Sequence, residues 1–465
     1  MNSPRIVIAG ASGFVGKALL KTFPSDLPLI ALSRASRPSS GNLEWRACDL
    51  FSLLDAERAL QGADVGIYLV HSMLPSARLT QGHFSDFDLI AADNFARAAK
   101  AVGIKRIIYL GGLIPDLPVS QLSAHLRSRY EVEEVFCHSG IPTTILRAGL
   151  IIGAEGSSFQ IMYRLVNRLP VMLCPAWTHT QTQPVDLSDV VKVIAEEAQK
   201  RDETSRMMDI GCAQVMSYLS MMQTLSSLLK TKRRFLSFPA VPFWLSYRWV
   251  TFITGSPREL VAPLIQSLRY PMTLRKDYAR VLPTDFESSL KNAVGLAKGS
   301  TEPAAFRQTK HSTERDVRSV IRLHLPKDKT ALSVAREYGR WLPGFMGRLI
   351  QVEPDASGRF HFRLIGMKTP LLILKWEPTR SSSSRQLFYI RGGLLAYDQG
   401  RGRLEFREVL NGRFILSAIH DFRPRLPWLI YRWTQALLHL WVMRSFDRHL
   451  KSKNFSSPIP PQPMK

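Results

Sequence analysis

The chain has 465 residues, 45% hydrophobic, 22% charged and 9% aromatic, which predicts two or three domains with real cores and excludes disordered, collagenous and coiled-coil chains. Four scattered cysteines (Cys48, Cys137, Cys174, Cys212) without paired spacing argue against a disulfide scaffold or a structural metal and for a reducing compartment. Lys and Arg number 62 against 38 Asp and Glu, a net charge of +24, so the expected partners are anionic.

Met1–Pro4 leads directly into Arg5–Ala9, which reads as a first strand and not as a signal peptide. Glycines follow, then a helix over Phe14–Phe23 that ends before Pro24. Strand and helix signals alternate from there: Leu29–Ser33, Leu53–Leu60 (helix), Val65–Val70, Asp86–Ala101 (helix), Lys105–Leu110, Arg127–Cys137 (helix) and Thr143–Arg147. Short apolar strands separated by helices predict an α/β fold with a Rossmann-type, doubly wound parallel sheet. Between about 212 and 300, proline-broken helical stretches suggest an appended substrate-side region, so residues 1–300 form one expected domain.

Residues 301–314 read as a linker, 315–452 as a second, α+β domain, and 453–465 as a flexible tail. The second domain shows a strand (Asp316–Leu325), a helix (Lys329–Trp341) and alternating runs at Phe360–Met367, Leu371–Pro378, Gln386–Gly392, Arg403–Leu410 and Arg413–Phe422. Asn411-Gly412 marks a hairpin, and an apolar helix over Pro427–Leu450 closes the domain. Leu236–Thr254 and Leu426–Met443 are greasy but interrupted by Arg248 and by Arg432, Gln435 and His439, so neither reads as a transmembrane helix.

The strongest motif is Gly10-Ala-Ser12-Gly13-Phe14-Val15-Gly16, between a strand and a helix. Gly10 permits the turn, Gly13 lets the backbone approach a pyrophosphate, and Gly16 lets the helix pack on its strand. Strand two ends in Ser33-Arg34 with Arg37 nearby and no acid to take ribose hydroxyls. A guanidinium suits a 2′-phosphate, which favours NADP(H) over NAD(H). Asp49, before Leu50, is placed either to accept from an adenine amino group or to cap the next helix. Val70 and His71, at the end of the fourth strand, lie where such sheets bind ligands, although a histidine there serves equally as a structural hydrogen-bonder.

These spacings, with Arg147-Ala-Gly-Leu-Ile-Ile-Gly153, resemble atypical short-chain dehydrogenase/reductases. The motifs Tyr68-Leu-Val-His71-Ser72-Met73, Tyr109-Leu-Gly-Gly-Leu113 and His125-Leu-Arg-Ser-Arg129 further resemble a bacterial subgroup related to the accessory nucleotide-binding subunit of mitochondrial complex I. The resemblance implies a catalytic Ser and a Tyr-x-x-x-Lys set, and here the pattern departs. His125 falls at the Tyr position, Arg129 at the Lys position, and Gly111-Gly112 at the serine. Two readings follow. In one, His125 is the general acid, with a pKa close to neutral, and Arg129 holds ribose or phosphate, for reduction of a hydrophobic carbonyl or quinone. In the other, the domain is a non-catalytic redox sensor or a support factor for a membrane or quinone-linked complex.

The strand–helix–meander–helix order from about Val317 resembles a START-like, helix-grip domain. That resemblance implies an apolar cavity for a quinone or lipid beside the closing helix, with Trp428, Trp433 and Trp441 either lining it or packed in the core. Arg423, Arg425, Arg432, Arg444 and Arg448 flank this stripe, the pattern of a helix at an anionic membrane surface. No nucleic-acid motif accompanies the charge. The expected location is cytoplasmic, peripheral at the inner membrane face.

Overall fold

The computed structural model describes residues 3–72, 77, 79–202, 204–238, 240–299 and 316–452. The expected linker and tail, and Met73, lie outside them. The chain divides into two units, residues 1–74 with 88–308, and residues 75–87 with 309–465.

In the first unit, Ile6–Ala9 (β1), Leu29–Ser33 (β2) and Val65–Tyr68 (β4) are buried at every position. Strands without a solvated face need cover on both sides, which is the condition of a parallel sheet. With Leu43–Ala47 (β3), Arg106–Gly112 (β5), Thr143–Ala148 (β6), Arg206–Cys212 (β7) and Ala279–Leu282 (β8) they form an eight-stranded sheet, ordered β8-β7-β6-β5-β4-β1-β2-β3. Every pairing in it is parallel. Strand order reverses at β1, so the carboxyl ends of β1 and β4 open a ligand crevice between them.

On one face, Ile8, Ile67 and Leu146 pack with Leu19 of helix α1 (Phe14–Thr22) and with Val190 and Ile194 of a helix over Leu187–Gln199. Tyr68 alternates with Ile67 and stacks edge-on against Phe95 and Phe136, with ring centroids 5.2 and 5.0 Å apart. β7 and β8 are not foreseen from sequence. Asp209 interrupts the apolar run of β7, yet it is buried because Arg275 donates to its carboxylate at 2.9 Å.

The second unit holds Val317–His324 (β9), Ile350–Pro354 (β10), Arg359–Leu364 (β11), Leu372–Trp376 (β12), Arg385–Ile390 (β13), Arg403–Val409 (β14) and Phe414–Phe422 (β15). Its sheet runs β10-β11-β12-β13-β14-β15-β9, antiparallel throughout, and ends on the short strand Leu79–Gln81, parallel to β9. The sequence reading leaves that strand inside the first domain; three residues are too few to show an alternation. The Asn411-Gly412 hairpin forms, with φ of 56° and 75°.

The closing helix is not continuous. It breaks at Thr434 into Trp428–Trp433 and Gln435–Lys451. Trp428 packs on the core, but Trp433 is 66% exposed and Trp441 49%, so the closing tryptophans do not fill the core as a set. No described helix is long and apolar enough to cross a membrane.

Candidate functional site

The glycine turn is sterically required. Gly10 has φ +89°, and a Cβ there would press on the Leu69 backbone at 3.1 Å. The Gly13 N–H donates to the Gly10 carbonyl at 2.9 Å. A Cβ on Gly16 would lie 2.3 Å from that same carbonyl oxygen, so helix α1 approaches the turn this closely only without a side chain. Gly13 caps α1 with no side-chain acceptor, which leaves first-turn N–H groups for an external anion. A backbone cradle that a Cβ would disrupt, opening onto an uncapped helix start, fits a dinucleotide pyrophosphate. The Phe14 ring packs under Gly153 and Gly156, Val15 joins the core, and Ser12 is half-buried at the turn.

Beyond β2, Ser33 is buried and Arg34 exposed. Arg37 instead stacks over the Trp45 ring at 4.9 Å. Asp49 does not cap helix α2 (Leu53–Leu60): Ser52 does, accepting from the Asp55 N–H. Asp49 accepts the Phe51 N–H at 3.2 Å, and the carbonyl of buried Leu50 takes the Asn94 amide at 2.8 Å.

Past the carboxyl ends of the central strands lies a crevice of about 270 Å³, with Phe14, His71, Gly111, Gly112, His125 and Arg129 in its walls. Val70, half-buried, leads into His71. The group that organises this floor is Asp88, on the helix Phe84–Val102 (α3). Its buried carboxylate accepts from Arg129 at 2.5 Å, from the Ser128 hydroxyl at 2.8 Å and from the Ser72 N–H at 2.7 Å, with His71 Nδ1 at 3.3 Å. Burial alone would raise the Asp88 carboxyl, but Arg129, His71 and Ser128 outweigh it and hold it well below the usual carboxylate range.

Arg129, on helix α4 (Ala124–Cys137), the residue expected to hold ribose or phosphate, lines the crevice with its Nη2 engaged by Asp88 and His71. His125 also differs from expectation. Burial, then His71 and Arg129, pull its pKa well below the ordinary imidazole value, which disfavours the protonated ring. Its buried Nδ1 has no hydrogen-bond partner among the described residues, and its ring centroid lies 5.3 Å from that of His71. Two tyrosines lie near it: Tyr218 lines the crevice, buried and with its hydroxyl pushed up by that burial, and Tyr109 is buried, its pKa pushed up to about 12 by that burial, its hydroxyl donating to the Arg129 carbonyl at 3.3 Å.

Sequence reasoning missed Asp88. The available signal was one carboxylate inside an otherwise apolar stretch, Phe87-Asp-Leu-Ile-Ala-Ala92. Asp189 accepts the Thr284 N–H at 3.0 Å, while Asp186 caps the helix Leu187–Gln199. The proline-broken region also contributes walls. A second, apolar cavity of about 80 Å³, lined by Met162, Trp177, Met222 and Val250, shares Leu150, Ser158, Tyr218, Leu264 and Leu268 with the crevice.

A family model described as NAD(P)H-binding matches residues 10–168, the span holding the glycine turn, Asp88, His125 and Arg129. The first unit thus carries an NAD(P)-binding Rossmann-type domain. The auxiliary protein GraX of Staphylococcus aureus is 32% identical over 458 residues, 98% of this chain and 95% of GraX. An uncharacterized chloroplastic protein of Arabidopsis thaliana is 23% identical over 231 residues, 44% of this chain and 69% of that protein. Among solved structures, the triphenylmethane reductase of Citrobacter sp. matches at TM-score 0.49 and 18% identity, over 63% of this chain and 99% of that one.

Proposed function

The chain belongs to the family of the Staphylococcus aureus auxiliary protein GraX, and on that footing we propose that its first unit is an NADPH-dependent reductase of a quinone or similar hydrophobic carbonyl. The observation that carries this reading is His125: an imidazole whose charged form is disfavoured, in the crevice wall with Phe14, the first residue of the helix that follows the glycine turn. The coenzyme, when bound, supplies the hydride. The glycine turn holds its pyrophosphate, and Arg34 meets the 2′-phosphate. His125 polarises the acceptor oxygen as a neutral hydrogen-bond donor, a role open to an imidazole whose pKa is lowered. Asp88 fixes His71 and Arg129 behind it, and the apolar pocket seats the acceptor and excludes water.

A quinone suits this floor better than a simple ketone. Hydride addition yields a hydroquinone monoanion, stable enough to take its proton from water, so no strong acid is needed. The test is NADPH oxidation across quinone and carbonyl panels. We expect turnover with quinones, and a His125→Ala variant that loses at least tenfold in kcat with unchanged NADPH affinity. Tight NADPH binding without turnover on any acceptor would retire the enzymatic reading.

A second reading, a nucleotide-binding sensor or support factor at a membrane or quinone-linked complex, draws on a different observation. Leu429, Ile430, Trp433, Leu437, Leu438 and Trp441 are all exposed on the two closing helices, and no acid occurs from Arg423 to Phe446. That chemistry suits an anionic bilayer surface. Its mark is sedimentation with anionic vesicles that changes on adding NADPH; indifference to both vesicles and coenzyme would empty it.

A further inference from the structure

The second unit contains a cavity of about 370 Å³ between one face of the helix Ala331–Phe345 and strands β10–β14. Its volume falls within the ~300–1,000 Å³ of small-molecule sites. The sheet side is aromatic and aliphatic, with Phe360, Phe388, Leu404 and Phe406 among the walls. The polar pair on that side is satisfied internally, since the Trp376 indole donates to Gln386 at 3.1 Å.

The helix side carries two features that weaken this segment as a helix. Gly339 sits in its interior, where glycine is less favourable to a helix than alanine. Neither close approach nor backbone geometry requires a glycine there: its φ is not positive, and a Cβ would meet nothing within 4 Å. What the missing side chain leaves is open volume in the cavity wall. Arg336 and Arg340 also line the cavity. They are four residues apart on one helix face, where like charges repel, and neither has a carboxylate partner among the described residues. A negatively charged occupant accounts for both at once, because it uses the space beside Gly339 and neutralises both guanidinia.

We propose that this cavity binds an anionic amphiphile, its hydrocarbon body against the aromatic sheet face and its carboxylate or phosphate on Arg336 and Arg340. The inference goes beyond the dinucleotide reading and does not rest on it, since every lining residue belongs to the second unit. The test is isothermal titration of the full chain, below micellar concentrations, with oleate, oleoyl lysophosphatidate and uncharged oleyl alcohol. We expect one site per chain, with at least one of the two anions binding ten times or more tightly than the alcohol. The tighter anion identifies the head group as a fatty-acid carboxylate or a lipid phosphate. The double variant R336A/R340A should bring anion and alcohol to similar affinity. Gly339→Leu should abolish binding by filling the space while leaving the melting temperature unchanged or higher, so that the loss is not unfolding. Equal affinity for anions and alcohol, binding that survives Gly339→Leu, or no binding by either anion would each overturn the proposal.

Discussion

Arg129 and Asp88 meet below the crevice, with Arg129 Nη2 2.5 Å from Asp88 Oδ2 and both side chains buried. One residue lies on α4 and the other on α3, so the contact ties together two helices that pack on the same face of the sheet. It also sets the position of His71, whose Nδ1 lies 2.5 Å from Arg129 Nη2. A buried ion pair adds little net stability over apolar residues of equal volume, but losing one partner leaves an uncompensated charge.

Asp88→Ala should therefore cost ~3–5 kcal/mol in urea unfolding of the first unit. The double replacement Asp88→Leu with Arg129→Met should recover most of that loss. A single-variant cost below ~1 kcal/mol, the level of an exposed pair, would show that solvent already screens the contact.

Arg34→Ala should weaken NADPH binding ten- to a hundredfold, the ~1.5–3 kcal/mol of a hydrogen bond to a charged group, and leave NADH affinity unchanged. Arg37→Ala should do far less, because that guanidinium is stacked on Trp45. Equal losses for the two coenzymes would remove Arg34 from the 2′-phosphate.

Gly16→Ala places a methyl 2.3 Å from the Gly10 carbonyl oxygen, so the turn must move. NADPH affinity should fall at least tenfold in calorimetry. Gly295→Ala, on the helix Phe286–Gly299 where a Cβ meets nothing within 4 Å, should instead raise stability by up to ~1 kcal/mol.

Acid should destabilise the second unit earlier than its carboxylates require. Burial lowers His439 to about 4, and His420 is lowered to about 4, chiefly by burial. An unfolded imidazole titrates near ~6.5, so between these values the unfolded chain binds more protons than the folded one. Stability is then full above pH ~6.5 and falls as pH drops toward 4, by up to ~3 kcal/mol per histidine. His439→Phe should remove one such contribution, seen as a smaller drop in unfolding free energy between pH 7 and pH 5. An unchanged drop would mean that His439 is already solvated.

How much was legible varied with the range of the interaction involved. The strand Leu29–Ser33 and the helix Leu53–Leu60 lie where the sequence puts them, because a run of apolar residues and a helix-period pattern are local signals. The glycine turn was legible for the same reason: the positive φ of Gly10 and the approach of Gly16 to the Gly10 carbonyl act within seven residues. Asp88 was not, since nothing nearby in sequence indicates that Arg129, 41 positions on, arrives to compensate its charge. Nor was the low pKa of His125, which depends on burial and on His71 and Arg129.

The sequence by itself determined a parallel α/β sheet with a phosphate-binding turn at its switch point, and an antiparallel meander after it, because both follow from side-chain period and backbone sterics. Tertiary structure alone decided which charges are spent inside the protein and which stay open, and where the cavities lie. Those outcomes depend on burial and on partners distant in the chain, and no local pattern of residue types encodes either.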